Sequence, residues 1–354
     1  MTGRERILNL LEGKPIDQIP NMPITMMFAA DTLGISYREY VTDYGKLVEA
    51  QIATAETYHI DHVSCISDPA REAAGYGANI IFFDDQPPAI DETNALLADK
   101  ATFGQLKPLD LFREDSRTLD RIKAAELFAE KVRQTHLIEG WVEGPCAESS
   151  DIRGINNLMT DFLDDPGFVN ELFDFVTDNA IRFARAQIDV GADLIGVGDA
   201  AASLVGPKLY EQFVLPFEKK LIAAIHDFGA KVRLHICGNT NRITALMAQT
   251  GADFIDLDSM VDMAKARAAM GPDQAIAGNI DPVKVVKNGT PETIADKLAE
   301  CRTAAGKNYI VAAGCEIPRG TPPENMHALA AFARQGGHAV TAAGLRECNP
   351  NFLF

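Results

Sequence analysis

A histidine and a cysteine stand two positions apart at the end of an apolar run. The stretch is VRLHICGNTN, in which His235 and Cys237 precede a Gly-Asn-Thr turn. Residues two apart on a β-strand point to the same face, so we expect both side chains to project together. Imidazole nitrogen and thiolate sulfur are ligands that Zn²⁺ prefers, although cysteine is often just a small buried hydrophobe. The pair therefore indicates either a soft-metal site or two core side chains.

A second cysteine ends another apolar run, YIVAAGC, at Cys315. If both runs are strands of one barrel, their carboxyl ends meet around a single mouth. His235, Cys237 and Cys315 would then supply one nitrogen and two sulfur ligands and leave a fourth position for water or substrate. Asp258 ends the run between them, DFIDLD, and is predicted to be a fourth ligand or a carboxylate behind the ligands.

The rest of the chain alternates short apolar runs with amphipathic helical patterns. Eight runs are predicted as strands, at residues 19–24, 62–66, 136–144, 192–199, 231–237, 253–258, 275–280 and 309–315. Helical patterns separate them, one of which runs from about Pro216 to Phe228. Eight such units predict a single (β/α)8 TIM barrel over residues 1–354, an α/β fold. N-terminal elaborations are expected over the mouth, including a hairpin in ANIIFFDDQPPAI.

A doubly wound sheet is the alternative fold. The stretch GVGDAA at 196–201 matches the G-x-G-x-x-A pattern of dinucleotide-binding proteins. However, the residues that follow, SLVGPK, interrupt a helix, and no ribose-binding acid stands about twenty residues further on. The motif is therefore weak, and the barrel is favoured.

Composition excludes several classes of protein. The 354 residues carry a formal net charge of −17, which argues against binding to nucleic acid, because phosphate backbones recruit basic faces. No apolar run reaches the roughly 18 residues that a membrane span requires. The N-terminus, MTGRERILNLLEGK, has no signal-peptide pattern, and the six cysteines have no framework spacing. We expect a cytoplasmic protein that contacts neither membrane nor nucleic acid.

Three further polar residues near strand ends are candidate catalytic groups. Asp199 ends a predicted strand and is expected to contact substrate or to cap the following turn. Glu148 follows the third strand and is predicted to be an acid or base, with a solvated charge as the alternative. Asn279 ends the strand AIAGNI and is predicted to point inward. Arg319 is either a ligand for an anionic substrate or an exposed surface residue.

Several stretches together resemble one superfamily. HICGNT, followed later by the cysteine of GCEIP, resembles the zinc-binding signature of corrinoid-dependent methyltransferases in the uroporphyrinogen decarboxylase superfamily. RERILNLLEGKPIDQIP, LVGPKLYEQFVLPFEKKL and GNIDP are similar to the superfamily as a whole. The resemblance implies a barrel with His235, Cys237 and Cys315 as Zn²⁺ ligands. It also implies methyl transfer between a corrinoid protein and a small thiol or methylated compound. A partner is expected to carry the corrinoid (cobalamin), because the chain lacks an Asp-x-His-x-x-Gly pattern.

Two other functions are kept as alternatives. Uroporphyrinogen decarboxylases hold an acidic tetrapyrrole with an Arg-Gln-Ala-Gly-Arg-Tyr stretch, whereas this chain has no arginine between Arg6 and Arg38. Methyl transfer is therefore preferred to decarboxylation. The second alternative is a non-catalytic module that binds a corrinoid protein. The identity of the small substrate stays open, because Cys146-Ala147-Glu148 replaces the Phe-Thr that usually follows the Gly-Pro turn in coenzyme M enzymes.

Overall fold

The computed structural model describes residues 1–336, and its centre is a curled sheet of seven parallel strands. The strands of this sheet, in spatial order, are β1 (His62–Ser64), β4 (Leu137–Glu143), β5 (Leu194–Gly198), β6 (Lys231–Ile236), β7 (Phe254–Leu257), β8 (Ala275–Ala277) and β9 (Tyr309–Ile310). A separate antiparallel pair contains β2 (Ile80–Ile81) and β3 (Ala89–Ile90).

An extended segment fills the eighth position of the barrel. Asn21 forms a parallel bridge with Val311, beyond β9. On its other side, the carbonyl oxygen of Asn21 accepts a hydrogen bond of 2.9 Å from the amide of Asp61, just before β1. The run predicted as strand 19–24 thus lies between the two edges of the sheet. The prediction of a TIM-barrel fold is confirmed.

Helices cover the outside of the barrel. They are α1 (Gly3–Leu11), α2 (Met26–Leu33), α3 (Tyr37–Thr42), α4 (Tyr44–Tyr58), α5 (Ala70–Tyr76), α6 (Arg117–Val132), α7 (Pro145–Arg153), α8 (Ile155–Asp164), α9 (Pro166–Asp189), α10 (Gly206–Leu209), α11 (Leu215–Asp227), α12 (Thr244–Met247), α13 (Met263–Met270), α14 (Pro291–Ala305) and α15 (Pro323–Arg334). Short 3₁₀ or π segments occur at Glu92–Asn94, Lys100–Gln105, Ala200–Leu204, Tyr210–Val214 and Pro282–Lys287. Among residues 1–336, no helix has both the length and the apolar character needed to cross a bilayer.

The barrel interior changes from apolar to charged along the strand axis. At the amino ends of the strands, Leu137, Leu194 and Phe254 form an apolar layer with Ile7 and Leu10 of α1.

Above that layer lies a fully buried arginine. The Nε atom of Arg233 is 3.0 Å from Asp256 Oδ2, and its Nη1 atom is 3.3 Å from Glu139 Oε1. Burying an unpaired charge would cost several kcal/mol, so the arginine and the two carboxylates can be buried only as a paired group.

Two glycines of the GVG motif make room for the single tryptophan of the chain. A Cβ atom at Gly196 would lie 2.1 Å from Trp141 Cε3, and one at Gly198 would lie 3.1 Å from Trp141 Nε1. These residues face the barrel interior on β5, beside β4. The glycines therefore accommodate an indole ring instead of a pyrophosphate, which removes the basis for a dinucleotide-binding fold.

The predicted hairpin, β2 and β3, is tied to the mouth of the barrel. The amide of Tyr37 donates a 2.7 Å hydrogen bond to the carbonyl oxygen of Asp84 in the hairpin turn. Nη1 of Arg319, in the loop after the last strand, donates a 2.9 Å hydrogen bond to the carbonyl oxygen of Asp85. The hairpin is therefore held beside the carboxyl ends of the strands.

Candidate metal centre

Three potential metal ligands meet at the carboxyl ends of β6 and β9. The Sγ atoms of Cys237 and Cys315 are 3.8 Å apart, and His235 Nε2 is 3.1 Å from Cys237 Sγ. All three ligand atoms lie within 4.8 Å of one another. Two thiolates that each lie about 2.3 Å from a tetrahedral Zn²⁺ are about 3.8 Å apart. The spacing therefore fits a soft divalent ion bound by all three side chains.

A buried carboxylate orients the histidine. Nδ1 of His235 lies 3.2 Å from Asp256 Oδ2, and the same oxygen contacts Arg233. With Nδ1 facing a carboxylate, Nε2 is the ring atom directed at the two sulfurs. This is the carboxylate–histidine–metal arrangement that fixes the tautomer in many zinc sites.

The two thiols shift each other's pKa in opposite directions. The pKa of Cys315 is lowered to about 4, because the Cys237 thiol donates to its sulfur and His235 lies close by, although burial opposes this shift. The pKa of Cys237 is raised in turn, mainly because its proton is held by Cys315. The lowered pKa of Cys315 favours its thiolate, the form that binds metals.

Asp258, the predicted fourth ligand, does not join this cluster. Its Oδ2 atom accepts a 2.9 Å hydrogen bond from the amide of Gly238, and Oδ1 accepts one of 2.9 Å from the amide of Met260. The strand β7 ends at Leu257, so the two-residue periodicity that directs Asp256 inward no longer holds one step later. Asp258 instead stabilises the turn after Cys237.

A cavity of about 180 Å³ adjoins the three ligands. Typical ligand pockets measure about 300–1,000 Å³, so this one suits a compact substrate. Its lining residues come from the carboxyl ends of several strands and include Ile24, Met26, Ile66, Asp68, Pro69, Trp141, Glu143, Gly198, Ala200 and Glu316 beside the three ligands. A larger groove of about 790 Å³ lies between α4 and α6, away from the strand ends, and contains none of the three ligands.

Three carboxyl groups face this cavity. Glu143 lies 2.9 Å from the guanidinium of Arg71, yet burial and the neighbouring Glu72 raise its pKa to about 8. Glu316 accepts a 2.7 Å hydrogen bond from the amide of Met27, and burial raises its pKa to about 7.

Asp68, the third carboxyl group, is bound by two nitrogens of Arg117, at 2.7 and 2.5 Å. The cavity wall next to the ligands is therefore acidic.

Asp199 does not line the cavity. It follows the inward-facing Gly198, so its side chain turns outward, towards the start of α7, and Oδ1 accepts a 2.6 Å hydrogen bond from the amide of Ala147. Burial and the nearby Glu218 raise its pKa well above the usual range. The structure thus gives Asp199 a contact with the start of α7, whereas its side chain does not cap the turn that follows β5.

Glu148 lies in a buried acidic group behind the cavity wall. It is 3% exposed, and neither carboxyl oxygen has a hydrogen-bond partner. Burial, followed by Glu72, Asp151 and Glu143, raises its pKa well above the usual range, and only Arg71 opposes this. The alternative of a solvated charge is wrong, because the side chain is buried.

Asn279 braces a neighbouring loop. Its Nδ2 atom donates hydrogen bonds of 2.9 and 2.7 Å to the carbonyl oxygens of Asp258 and Val261. It points towards β7 and is absent from the cavity wall. Arg319 is paired with Asp31 at 2.6 Å and is therefore not available for an anionic substrate.

The remaining cysteines lie away from the cluster. Cys65 and Cys146 are buried and Cys301 is half-buried, whereas Cys348 lies outside the described residues.

Sequence reasoning missed the residues that shape the site around the ligands. Trp141, Glu143 and Asp256 were not singled out, although each lies on a predicted strand. Charged residues inside otherwise apolar strands, such as Arg233 and Glu139, were the available signal, because such side chains stay buried only when paired.

Comparisons with known proteins identify the family of this chain. Residues 2–336 match the family described as Uroporphyrinogen decarboxylase (URO-D). The methylcobamide:CoM methyltransferase MtbA of Methanosarcina mazei is 30% identical over 94% of this chain and 98% of its own length. MtaA of Methanosarcina barkeri, with the same activity in its name, is 28% identical over 93% and 97%. A uroporphyrinogen decarboxylase of Microcystis aeruginosa is 25% identical over 95% and 99%.

Solved structures show the same fold. A methyltransferase from Methanosarcina mazei superposes with a TM-score of 0.82 at 24% identity, over 95% of this chain and 98% of that one. The family match over residues 2–336 shows that the chain belongs to the uroporphyrinogen decarboxylase family. The sequence-based prediction of a corrinoid-dependent methyltransferase within that superfamily is confirmed.

Proposed function

We propose that this chain is a zinc-dependent enzyme that moves a methyl group between a corrinoid protein and a small thiol or methylated compound bound in the cavity. The observation that carries the proposal is the convergence of His235, Cys237 and Cys315 beside that cavity. A closed structural zinc site has four protein ligands, whereas three ligands facing a cavity leave a position for substrate.

The side chains of the site have separate roles in this proposal. His235, Cys237 and Cys315 would hold Zn²⁺, which when bound keeps a substrate thiol in its nucleophilic thiolate form near neutral pH. Asp256 and Arg233 fix the imidazole, so that Nε2 stays directed at the sulfurs. Ile24, Met26 and Ile66 form an apolar part of the cavity wall, which would reduce the access of water to the reacting atoms.

The rim of the barrel mouth offers a surface for the corrinoid-carrying partner. Leu204, Met260 and Val283 are 62%, 62% and 49% exposed, and they lie in the segments that follow β5, β7 and β8. Exposed apolar side chains grouped around a site are typical of protein-binding surfaces. We infer that the corrinoid protein docks there and presents its cofactor to the cavity.

Decarboxylation of an acidic tetrapyrrole is less well supported. The cavity of about 180 Å³ is lined by carboxyl groups, which would repel a bound polycarboxylate.

The cysteines indicate the compartment in which the protein works. The five cysteines of residues 1–336 are free, and Cys237 and Cys315 stay reduced most readily in the cytoplasm, where we place the protein.

Anaerobic turnover tests the proposal. The zinc-loaded protein is mixed with methylcobalamin and a panel of thiols, and cob(I)alamin formation is followed by its absorbance. The thiol loses a proton, its sulfur takes the methyl cation, and the electron pair of the cobalt–carbon bond stays on cobalt. Methylated amines and methoxylated aromatics are tried in the reverse direction with cob(I)alamin. Methyl transfer that needs zinc is expected, and decarboxylation of uroporphyrinogen without any methyl transfer would contradict the proposal.

A further inference from the structure

The cavity wall carries acidic groups and no side chain that is permanently cationic. Asp68, Glu143 and Glu316 face the cavity, and within residues 1–336 no lysine or arginine is among its lining residues. A site that binds a sulfonate or carboxylate normally places arginine or lysine beside it. Within residues 1–336, the wall therefore offers no lysine or arginine to an anionic substrate.

The guanidiniums closest to the wall are already engaged. Arg71 is fully buried and contacts both Glu143, at 2.9 Å, and Glu72, at 3.4 Å. Arg117 is bound to Asp68 through two nitrogens and also donates to a backbone carbonyl.

Two arginines further from the wall are engaged in the same way. Arg319 is paired with Asp31, and Arg233 is enclosed by Asp256 and Glu139. Around the cavity, Arg71 pairs with Glu72 and Glu143, and Arg117 pairs with Asp68, whereas Glu316 accepts its hydrogen bond from the amide of Met27.

The metal does not reverse this balance. Zn²⁺ bound by two thiolates and one neutral imidazole carries no net charge, so it adds no long-range attraction for an anion. The whole chain has a formal net charge of −17, which also disfavours the approach of anions.

An aromatic ring and a carboxyl group meet at one point of the wall. A Cβ atom built on Gly198 would lie 3.1 Å from Trp141 Nε1 and 3.3 Å from Glu143 Oε2. Gly198 itself lines the cavity at this point. The face of an indole ring attracts ammonium ions, and a carboxylate accepts charge-assisted hydrogen bonds from them. The proton that Glu143 holds in the absence of ligand is one that a cation would displace.

We infer that the substrate of this cavity is a small cation, a thiol or methylated compound that carries an amino or quaternary ammonium group, and not an anionic thiol. This inference rests on the proposed function for the role of the sulfur or methyl group. The charge preference itself rests on Asp68, Glu143, Glu316 and Trp141.

The experiment uses three thiols that differ in one group. They are 2-aminoethanethiol, 2-mercaptoethanol and 2-mercaptoethanesulfonate, which are cationic, neutral and anionic at pH 7.5. Trp141 is the only tryptophan of the chain and lines the cavity, so its fluorescence reports binding directly. Zinc-loaded wild-type protein is titrated with each thiol. The variants Glu143→Gln and Glu316→Gln are titrated in the same way. Glu56→Gln is the control, because its side chain lines the remote groove between α4 and α6.

The wild-type protein is expected to bind the amine at least ten times more tightly than the sulfonate, with the alcohol between them. That ratio should fall at least threefold in Glu143→Gln or in Glu316→Gln and should stay unchanged in Glu56→Gln. A sulfonate that binds as tightly as the amine overturns the inference, and so does a ratio that neither variant changes.

Methyl transfer is measured separately on the same samples. If the amine is preferred but no thiol accepts a methyl group, the proposed function fails while the charge inference stands. If the sulfonate is methylated fastest and binds most tightly, the inference fails while the function stands.

Discussion

Asp256 connects the barrel core to the candidate metal ligand His235. It contacts His235 on one side and Arg233 on the other, and all three side chains are buried. Losing such a carboxylate typically weakens metal binding about 10–100-fold, because the imidazole is no longer held in one tautomer and orientation.

We therefore expect Asp256→Asn to bind zinc about 10–100 times more weakly than wild type, measured by competition with a chelator. Asp253→Asn is the matched control, because Asp253 precedes the same strand and pairs with His226 and Lys231 at the opposite end. Equal zinc affinity in Asp256→Asn and wild type, with unchanged circular dichroism, would contradict the role given to Asp256.

Glu148 makes the stability of the protein depend on pH. Its folded-state pKa is raised above the ordinary value of 4.5, so the folded protein holds a proton that the unfolded chain releases. The free energy of unfolding therefore falls as the pH rises above about 4.5 towards the folded-state pKa.

Glu148→Gln removes this dependence, since glutamine does not titrate. The melting temperature of the variant is expected to be close to that of wild type at pH 5 and higher than that of wild type at pH 8. Each kcal/mol gained in the free energy of unfolding raises the melting temperature by about 2–4 °C. Thermal melts at both pH values measure the difference, with the exposed Glu126→Gln as control. A variant that melts no higher than wild type at pH 8 would show that ionisation of Glu148 does not destabilise the folded protein.

For individual residues, the sequence predicted the candidate ligands better than the side chains around them. His235, Cys237 and Cys315 could be named because few residue types bind soft metals and all three end apolar runs. The side-chain directions of Asp199 and Asp258 could not be predicted, because each residue lies one position beyond the end of its strand, where the alternation of faces stops.

Strands β4 and β5 fit together through the packing of Trp141 against Gly196. A methyl group at Gly196 would lie 2.1 Å from the indole ring, so either the ring or the backbone must move. Overpacking of this kind costs about 1–3 kcal/mol in a tight core.

Gly196→Ala is expected to lower the stability by about that amount and to shift the tryptophan emission, because the ring is pushed towards the cavity. Gly104→Ala is the matched control, since no atom lies within 4 Å of its added Cβ. Denaturant titration and emission spectra provide both readouts, and an unchanged emission maximum in Gly196→Ala would argue against this packing.

The elements themselves were largely predictable. Seven of the eight predicted runs contain strands, and the helix predicted from Pro216 to Phe228 is α11. The first run, at 19–24, forms only a bridge, because Asn21 is flanked by Pro20 and Pro23, and proline cannot donate to a ladder. Its pairing with Val311 at the far end of the chain depends on closure of the barrel, which no local pattern encodes.

At the scale of the whole molecule, the proposed methyl transfer requires a partner that reaches the barrel mouth. Leu204→Asp and Met260→Asp place a charge in the proposed docking surface. Each is expected to lower kcat/KM with the methylated corrinoid protein about tenfold, or about 1.4 kcal/mol, and to have a smaller effect with free methylcobalamin.

Phe112→Asp is the control for this prediction. Phe112 is also exposed, but it lies beside Phe228 and Asp189, at the carboxyl ends of α11 and α9 and away from the mouth. Equal losses in Phe112→Asp and Leu204→Asp would contradict docking at the mouth.

The most direct test of the central claim compares two cysteine variants for zinc content and methyl transfer. Cys237→Ser removes a proposed ligand, whereas Cys301→Ser changes a half-buried cysteine outside the cluster. We predict that Cys237→Ser retains its secondary structure, loses most of its zinc and transfers methyl groups at least 100 times more slowly, while Cys301→Ser keeps about one zinc per chain and wild-type activity. Wild-type methyl transfer by Cys237→Ser would contradict the account.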